Sequence, residues 1–327
     1  MKYLISKTID PNFNLAMEEY LTKVLNETIF YVFQNQSSVI VGKNQNPFSE
    51  VNVNYLKKRN IKIVRRMSGG GAVYQDLGNL NFAFIIKDGA KELYDFKKFS
   101  VPIINYLKTL DLSAKFSGRN DLMLYNRKIS GAAQYISGNN LLHHGTLIFD
   151  LDLSDINNIL QPNYNKLGSK GIKSVTSRIA NIKDFLPEDM SMDEFKLGLV
   201  NFIADGDEQI ITPKQMDEIE KIAAEKRKAI DFILENKKDY QYQVVEYIPD
   251  FGTIEIYFNT DDNNLITDLE IFGEYFFRLN INEVTNLFIG KEYTAENISK
   301  IVNSISNFPD YFHKLKKKKL IELLMLK

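Results

Sequence analysis

The feature that most constrains this chain is a run of three glycines, Gly69 to Gly71, that follows a short alternating stretch and two arginines. Residues 61–64 predict a buried strand. Because glycine has no Cβ atom, such a loop can adopt positive φ and bring its N–H groups against a ligand. Successive N–H groups in a turn form an anion-binding concavity, and Arg65 and Arg66 add planar cations beside it. Residues 79–87 alternate as a second strand, so we predict an anion-binding loop between two strands.

The glycine loop alone does not identify a ligand. It lacks the Gly-Lys-Ser/Thr ending of a Walker loop, and a strand follows it where the dinucleotide-binding fingerprint would begin a helix. A plain glycine-rich turn with both arginines in solvent therefore remains an alternative interpretation.

Composition narrows the classes of function. The 327 residues carry a formal net charge of −1, which predicts no general attraction to nucleic acid or to an anionic membrane. The sequence contains no cysteine, which excludes disulfides, thiolate metal sites and a cysteine nucleophile. No apolar stretch has the length of a membrane span or of a signal peptide core. We therefore expect a cytoplasmic protein.

The first hundred residues predict a helix and a hairpin. Asp10 and Pro11 form a helix-start signal, and the apolar spacing that follows leaves Glu18 and Glu19 on a solvated face. Residues 29–33 and 39–42 are interpreted as a hairpin across a polar turn.

A second group of polar residues follows at 117–134. Asp121 is predicted to begin a strand, Asn126 and Arg127 to make a tight turn, and Lys128 to begin the returning strand. Small residues at 130–133 would let a ligand or another backbone approach closely. A lysine at a hairpin turn is usually exposed to solvent. Beside a glycine loop, however, Lys128 is a candidate point charge for a phosphate.

Two further segments carry candidate polar groups. Residues 142–150 predict a core strand, and we interpret His143 as a hydrogen-bonded structural residue at its start. Residues 165–181 are basic, contain two glycines and lack apolar periodicity. This composition predicts either a solvated loop or a mobile flap that closes over an anion with Lys166, Lys170 and Arg178.

The C-terminal residues predict a separate small domain. A strand pair at 251–272 and several helices after it are typical of a small α+β domain. We expect an α/β (α+β) chain with a catalytic domain at residues 1–246 and an accessory domain at 247–327.

Six motifs occur in a fixed order, and together they resemble the lipoate–protein ligase A family. They are Arg-Arg-x-Ser-Gly-Gly-Gly-Ala-Val-Tyr at 65–74, Asp-Leu-Gly-Asn at 76–79, Ser-Gly-Arg-Asn-Asp-Leu at 117–122, Arg-Lys-Ile-Ser-Gly at 127–131, His-His-Gly-Thr-Leu at 143–147 and Lys-Gly-Ile-x-Ser-Val-x-Ser-Arg at 170–178. The resemblance covers about residues 8–185, and the C-terminal region is similar in architecture only.

The resemblance implies a large mixed-sheet catalytic domain like that of biotin and lipoate ligases, with a small C-terminal domain that rotates between two reaction steps. Lipoate reacts with ATP and Mg²⁺ to give lipoyl-AMP and pyrophosphate. The lipoyl group then passes to a lysine on a lipoyl domain of an E2 subunit of a 2-oxoacid dehydrogenase or of the glycine cleavage H protein. Neither nucleic acid nor a membrane is an expected partner.

The resemblance also implies the site residues. Lys128 is the catalytic residue that contacts the lipoyl carbonyl and the α-phosphate, and Asp121 is the candidate Mg²⁺ ligand. The lipoate pocket includes Phe33, Gly71 and His144. The implied ATP and lipoyl-AMP contacts are Arg66, Ser68, Gly70, Gly71, Ala72, Val73, Tyr74, Gln75, Asn79, Asn120, Asp121, Lys128, Gly145, Thr146, Lys170 and Arg178.

Two features depart from the family pattern. The family usually has a histidine where this chain has Gln75, which can still donate and accept hydrogen bonds. The chain also has no tryptophan, although the family's C-terminal domain usually opens with a strand that contains one, and residues 240–243 are the candidate replacement.

Proteins of the same fold, or with the same ligands, provide alternative functions. Octanoyl- or lipoyl-transferases of the same fold usually use a cysteine thioester, which a chain without cysteine cannot form. The Gly-Arg-Gly-Arg loop of biotin ligases is absent. A lipoyltransferase that uses preformed lipoyl-AMP, and a non-catalytic paralogue that binds lipoyl-AMP or a lipoyl domain, both remain open.

Overall fold

The computed structural model describes residues 1–160, 178–274 and 279–326. The strands in chain order are β1 (Lys2–Ile5), β2 (Ile29–Gln34), β3 (Ser38–Val41), β4 (Lys62–Arg65), β5 (Val73–Gln75), β6 (Asn79–Ile86), β7 (Lys115–Ser117), β8 (Asp121–Leu124), β9 (Arg127–Ser137), β10 (Asn140–Ile148), β11 (Tyr242–Ile248), β12 (Gly252–Thr260) and β13 (Ile266–Gly273). The helices are α1 (Pro11–Lys23), α2 (Pro47–Glu50), α3 (Val53–Arg59), α4 (Phe96–Thr109), α5 (Ile156–Ile159), α6 (Met192–Ile203), α7 (Pro213–Glu235), α8 (Asn282–Thr285), α9 (Ala295–Ser304), α10 (Phe308–Tyr311) and α11 (Lys317–Leu324).

A seven-stranded sheet organises the N-terminal part in the order β1-β2-β6-β10-β9-β8-β7. β1 is parallel to β2, and the other neighbours are antiparallel. Side chains alternate along the central strands: Phe30 and Val32 of β2 pack with α4 and α6, whereas Tyr31 and Phe33 pack with α1 and α7. Helices therefore cover both faces, and the predicted large mixed sheet is confirmed.

The predicted hairpin of residues 29–42 is wrong. β2 lies between β1 and β6, whereas β3 belongs to a three-stranded sheet in which it pairs with β4 and β5. Every residue of β3 is buried, and so are all but the last of β2. Short apolar runs of this kind do not encode which strand they pair with, because no polar face sets their register.

The solvated face predicted for α1 is also wrong. The helix begins where the Asp10 side chain accepts the Asn12 N–H, with Pro11 in its first turn. It then lies between the large sheet and α7, so it is covered on two sides. Glu18 is only 1% exposed, and Glu19 pairs with Lys226 of α7 at 2.5 Å.

His143 of β10 is a buried structural residue that lies within the strand rather than at its start. Its Nδ1 atom is 3.0 Å from the Gln134 amide nitrogen, and its ring stacks on Phe99 with centroids 4.8 Å apart. The pKa of His143 is lowered from 6.5 to about 3. Burial is the largest cause, and repulsion by the charge of His144 lowers the pKa further.

This low pKa predicts acid sensitivity. Below pH 6.5 the unfolded chain binds a proton that the folded chain binds only near pH 3, so stability falls as the pH falls through this interval. Between pH 7 and pH 5, His143 should lower the free energy of unfolding by about 2 kcal/mol. We expect the His143→Gln variant not to show this part of the decrease. Urea unfolding at both pH values measures it. Equal pH dependence in the two proteins would contradict the prediction.

The C-terminal part has its own sheet and core. β12 pairs antiparallel with β11 and β13, and α8, α9, α10 and α11 contribute to the apolar cluster beside this sheet. A boundary at residues 246/247 would divide β11, because that strand runs from Tyr242 to Ile248. We propose that the boundary lies between the end of α7 at Glu235 and the start of β11. None of the described helices has the length and apolarity to cross a bilayer.

The two parts touch, among other places, at the loop that follows β3 and at the short helix α2. The Gly273 N–H donates to the Asn44 carbonyl at 2.8 Å, and the Ser49 hydroxyl donates to Glu255 Oε1 at 3.2 Å. Lys237 lies over the Phe48 ring, 5.6 Å from its centroid. The end of β13 is thus fixed close to the glycine loop.

Candidate active site

A cavity of about 270 Å³ lies between the glycine loop, α1 and the strands β9 and β10. Most residues that the sequence implicated line it: Phe33, Arg66, Gly70, Gly71, Ala72, Val73, Tyr74, Gln75, Asn79, Asn120, Lys128, His144, Gly145 and Thr146. Residues from five separate motifs thus meet around one space, although up to 80 positions, from Arg66 to Thr146, separate them in the chain.

The remaining implicated residues lie elsewhere. Ser68 is buried behind the wall and Asp121 lies beside Lys128. Arg178 is exposed, and its carbonyl accepts the Lys128 N–H at 2.7 Å. Lys166 and Lys170, with most of the predicted flap, lie outside the described residues.

Arg66 holds the glycine loop in place. Its Nη2 donates to the carbonyls of Gly69 and Gly71 at 2.7 and 2.8 Å. Its Nη1 donates to the Ile40 carbonyl at 3.1 Å, and its Nε to the Ser68 hydroxyl at 3.1 Å. Burial lowers the pKa of Arg66 to about 10, so the guanidinium is still charged at neutral pH. Arg66, which was predicted as a cation at the edge of the loop, is therefore a buried residue that fixes the loop's conformation through hydrogen bonds.

The loop leaves its own donors available. Gly70 has φ 93, which is accessible to glycine at little cost. Among the described residues, the N–H groups of Gly69, Gly70 and Gly71 have no recorded hydrogen-bond acceptor. Backbone donors near a buried cation are the components of an anion site. This geometry favours anion binding over a plain turn.

A buried hydrogen-bonded chain that the sequence did not reveal leads from α1 to the loop. Glu18 Oε1 is 2.8 Å from His144 Nδ1, and His144 Nε2 is 2.6 Å from the Ser68 hydroxyl. If Nδ1–H donates to the carboxylate, Nε2 accepts the Ser68 proton. Glu18 follows Leu15 by three residues and precedes Leu21 by three, so helical spacing could have placed it on the buried stripe.

Gln75 is a bridge in a second polar network. Its Oε1 accepts from the Asn35 amide at 2.7 Å, and its Nε2 donates to Asn81 Oδ1 at 2.7 Å. Both ends of the buried side chain are therefore occupied.

A histidine at position 75 can also accept with one ring nitrogen and donate with the other. We therefore expect Gln75→His to change the rate of adenylate formation by less than about tenfold, a barrier change under about 1.4 kcal/mol. Steady-state pyrophosphate release measures it. A complete loss or a large gain of activity would contradict the structural role of Gln75.

Lys128 is held by strand pairing and an ion pair. Its N–H donates to the Arg178 carbonyl, and its own carbonyl accepts the Ala180 N–H at 3.0 Å. Its Nζ lies 2.8 Å from Asp121 Oδ1 and 2.9 Å from the position that a Cβ on Gly131 would take. The small residues at 130–133 were predicted to let a ligand or another backbone approach closely. In the structure the Lys128 side chain itself lies over Gly131, along the cavity wall.

Two apolar clusters contribute to the same cavity. Leu15, Phe33 and Ile40 come from the cluster under α1. The other cluster provides Ile148, Leu151, Ile156 and Ile179. The cavity therefore combines loop donors and one ammonium group with apolar wall on two sides, which suits a ligand with an anionic centre and apolar ends.

The chain matches known protein families over most of its length. Residues 10–204 match the family model "Lipoyl protein ligase A/B catalytic domain", and residues 237–324 match "Bacterial lipoate protein ligase C-terminus". The chain is 38% identical to the lipoate-protein ligase LplJ of Bacillus subtilis, over 96% of this chain and 97% of the relative. It is 36% identical to lipoate–protein ligase 1 of Staphylococcus aureus, over 99% and 100%.

Solved structures show the same fold. LipL1 of P. falciparum, in a structure with lipoate, superposes with a TM-score of 0.76 at 23% identity over 100% of this chain and 99% of that one. A lipoate-protein ligase A bound with ATP has a TM-score of 0.59 at 27% identity, over 68% and 94%. A bipartite ligase from Thermoplasma acidophilum, described together with its E2 lipoyl domain, has a TM-score of 0.62 at 27% identity, over 74% and 98%.

Proposed function

The chain belongs to the lipoate–protein ligase family, and from this premise we propose how its cavity attaches lipoate to protein. The overall activity is ATP-dependent lipoate–protein ligation. The observation that carries the residue roles is the presence, in one cavity, of three glycines without recorded acceptors for their N–H groups and of the Lys128 ammonium.

In the first step, the lipoate carboxylate attacks the α-phosphorus of ATP. A new O–P bond forms, the bond to the β-phosphate oxygen breaks, and pyrophosphate leaves. Negative charge accumulates on the oxygens around the α-phosphorus, and donors fixed in advance stabilise it without reorganisation. We assign this role to Lys128 and to the N–H groups of Gly69 to Gly71.

Mg²⁺ would be held mainly by the nucleotide. In the described part of the chain, no cluster of three potential metal-ligating side chains is present. Mg²⁺ commonly uses one or two carboxylates together with substrate phosphates, and Asp121 beside Lys128 is the residue that would hold it. The ion supplies charge neutralisation on the phosphates.

The acyl chain of lipoate would occupy the apolar wall under α1. Burial of each CH₂ group contributes about 0.8 kcal/mol. Phe33 contributes the aromatic wall there, and Gly71 and His144 line the same cavity. Because Glu18 and Ser68 fix the His144 ring, this wall is rigid as well as apolar.

In the second step, the ε-amine of an acceptor lysine attacks the acyl carbon of lipoyl-AMP. A C–N bond forms, the C–O bond to AMP breaks, and the amine loses a proton. The amine must be neutral to attack, although its ordinary pKa is about 10.4. The nearby Lys128 cation would lower that pKa. A lipoyl domain of an E2 subunit or of an H protein is the proposed acceptor, and the cytoplasm is the proposed compartment.

Intact-mass measurement of a purified lipoyl domain tests this function. With protein, ATP, Mg²⁺ and lipoate, we expect the acceptor to gain the mass of one lipoyl group. Without ATP it should gain nothing, whereas synthetic lipoyl-AMP should restore the modification. Transfer only from lipoyl-AMP would indicate a transferase, and no modification in either reaction would indicate a binding protein.

A further inference from the structure

The C-terminal domain places a carboxylate on the glycine loop. Glu274 directly follows β13, and its N–H donates to the Thr253 carbonyl at 3.0 Å. The preceding residue, Gly273, is hydrogen-bonded to the Asn44 carbonyl of the catalytic domain. A Cβ built on Gly71 would lie only 2.7 Å from Glu274 Oε1. The Glu274 carboxylate therefore occupies the space that the missing side chain of Gly71 leaves.

The electrostatic surroundings of Glu274 are those expected for a bound anion. The negative charge of Glu274 favours the charged form of two arginines, Arg66 under the loop and Arg119 before β8. The Arg66 nitrogens are directed to the loop carbonyls and Ser68, so its charge acts on Glu274 through space. The loop's own N–H groups have no recorded acceptor among the described residues. Loop and carboxylate are thus electrostatically complementary.

We propose that Glu274 is an internal phosphate surrogate, a carboxylate that occupies part of the glycine loop until the phosphates of ATP displace it. The inference rests on the proposed function, since it takes the loop to be the phosphate site. A carboxylate and a phosphate cannot share the loop without strong repulsion at contact distance. ATP must therefore compete with Glu274, and binding of ATP weakens one contact between the two domains.

Three further contacts between described residues of the two domains lie away from the loop. The Ser49–Glu255 hydrogen bond, the Lys237–Phe48 contact and the stacking of His313 on Tyr94 with centroids 5.0 Å apart lie outside residues 69–71. Displacement of Glu274 therefore loosens the interface without abolishing it. We expect the effect to be graded rather than all-or-none.

Equilibrium ATP binding to the full chain tests the competition. Glu274→Gln keeps the size of the side chain and removes its charge. We expect it to lower the Kd for ATP two- to fivefold, because the repulsion between a partly exposed carboxylate and a phosphate is on the order of 0.5–1 kcal/mol. The matched control is Glu270→Gln on β13, because Glu270 pairs with Lys238 at 2.9 Å instead of contacting the loop. An unchanged or raised Kd in Glu274→Gln, or an equal drop in the control, would overturn the proposal.

A distance measurement supplies a readout that does not depend on activity. Because the chain has no cysteine, spin labels on Lys115→Cys and Leu287→Cys report on the two domains alone. We expect ATP to broaden the label-to-label distance distribution, and Glu274→Gln to broaden it partly without ATP. A distribution that neither change affects would overturn the proposal.

The two proposals can fail separately. The Glu274→Gln variant could bind ATP more tightly while the wild type fails to lipoylate the acceptor. That result would contradict the proposed function but support the competition between Glu274 and ATP. Normal lipoylation with no effect of Glu274→Gln would do the reverse. Failure of the wild type to bind ATP would remove both.

Discussion

Replacement of Lys128 by alanine is expected to reduce lipoyl-AMP formation by at least about 10²–10³-fold, the cost of removing one fixed charge-stabilising donor. The ammonium lies in the cavity wall, and its backbone is held by β9 and by residues 178 and 180. Its ion pair with Asp121 is about one-third exposed on each side, so its loss should cost less than about 1 kcal/mol of stability. Pyrophosphate release and thermal unfolding measure the two effects.

Lys115→Ala is the matched control for Lys128. Lys115 is an exposed lysine of β7, at the outer edge of the same sheet, and it does not line the cavity. We expect this variant to keep wild-type activity, and Lys128→Arg to retain a small part of it because the charge stays while the geometry changes. Wild-type pyrophosphate release by Lys128→Ala would refute the assigned role.

Replacement of Arg66 by methionine is expected to damage both stability and activity. The change leaves the carbonyls of Ile40, Gly69 and Gly71 without the donor that now satisfies them. At about 1–3 kcal/mol for a buried unsatisfied group, we expect a loss of at least about 3 kcal/mol in unfolding free energy. Since the loop would lose its conformation, ATP binding should also fall below detection. Urea unfolding and equilibrium ATP binding measure these effects.

The control for Arg66 is Arg59→Met, which removes an exposed arginine that pairs with Asp155 at 3.2 Å. We expect it to change stability by less than about 1 kcal/mol. Arg66→Lys should be nearly as damaging as Arg66→Met, because one ammonium cannot reproduce the planar fork. If Arg66→Met kept the stability and the ATP affinity of the wild type, the claim that Arg66 fixes the conformation of the loop would be contradicted.

The local pattern of the sequence predicted the elements that surround the site. Alternating apolar residues predicted β6, and Leu80, Phe82 and Phe84 do share one core face. The expectation that β6 directly follows the glycine loop was wrong, because the loop joins β4 to the short strand β5 in the three-stranded sheet. The predicted turn at Asn126 and Arg127 placed Lys128 within one residue of the start of β9, which begins at Arg127. These predictions depended on periodicity and turns, which are local properties of the chain.

The sequence did not predict what depends on long-range packing. β3 does not join the large sheet but pairs with β4, about 25 residues later in the chain. No local property of its four buried residues specifies that pairing. Glu18 is buried because it faces His144 of β10, about 125 residues later, and Glu19 is covered by Lys226 of α7, some 200 residues later. Arg66 was expected at the edge of the loop as a cation for a ligand. Only the fold shows that its N–H groups donate to the carbonyls of Ile40, Gly69 and Gly71 instead.

The domain contact is equally non-local. Glu274 has no motif, and it meets Gly71 only because β13 ends against the loop after β3. A glutamate is ordinarily exposed to solvent. Its relation to the phosphate site therefore required the assembled fold.

A crystal structure with a non-hydrolysable lipoyl-AMP analogue tests the central claim most directly. We predict that the acyl phosphate lies between the N–H groups of Gly69 to Gly71 and the Lys128 ammonium, with the acyl chain along Phe33 and His144. An analogue bound away from both the glycine loop and Lys128 would contradict the account.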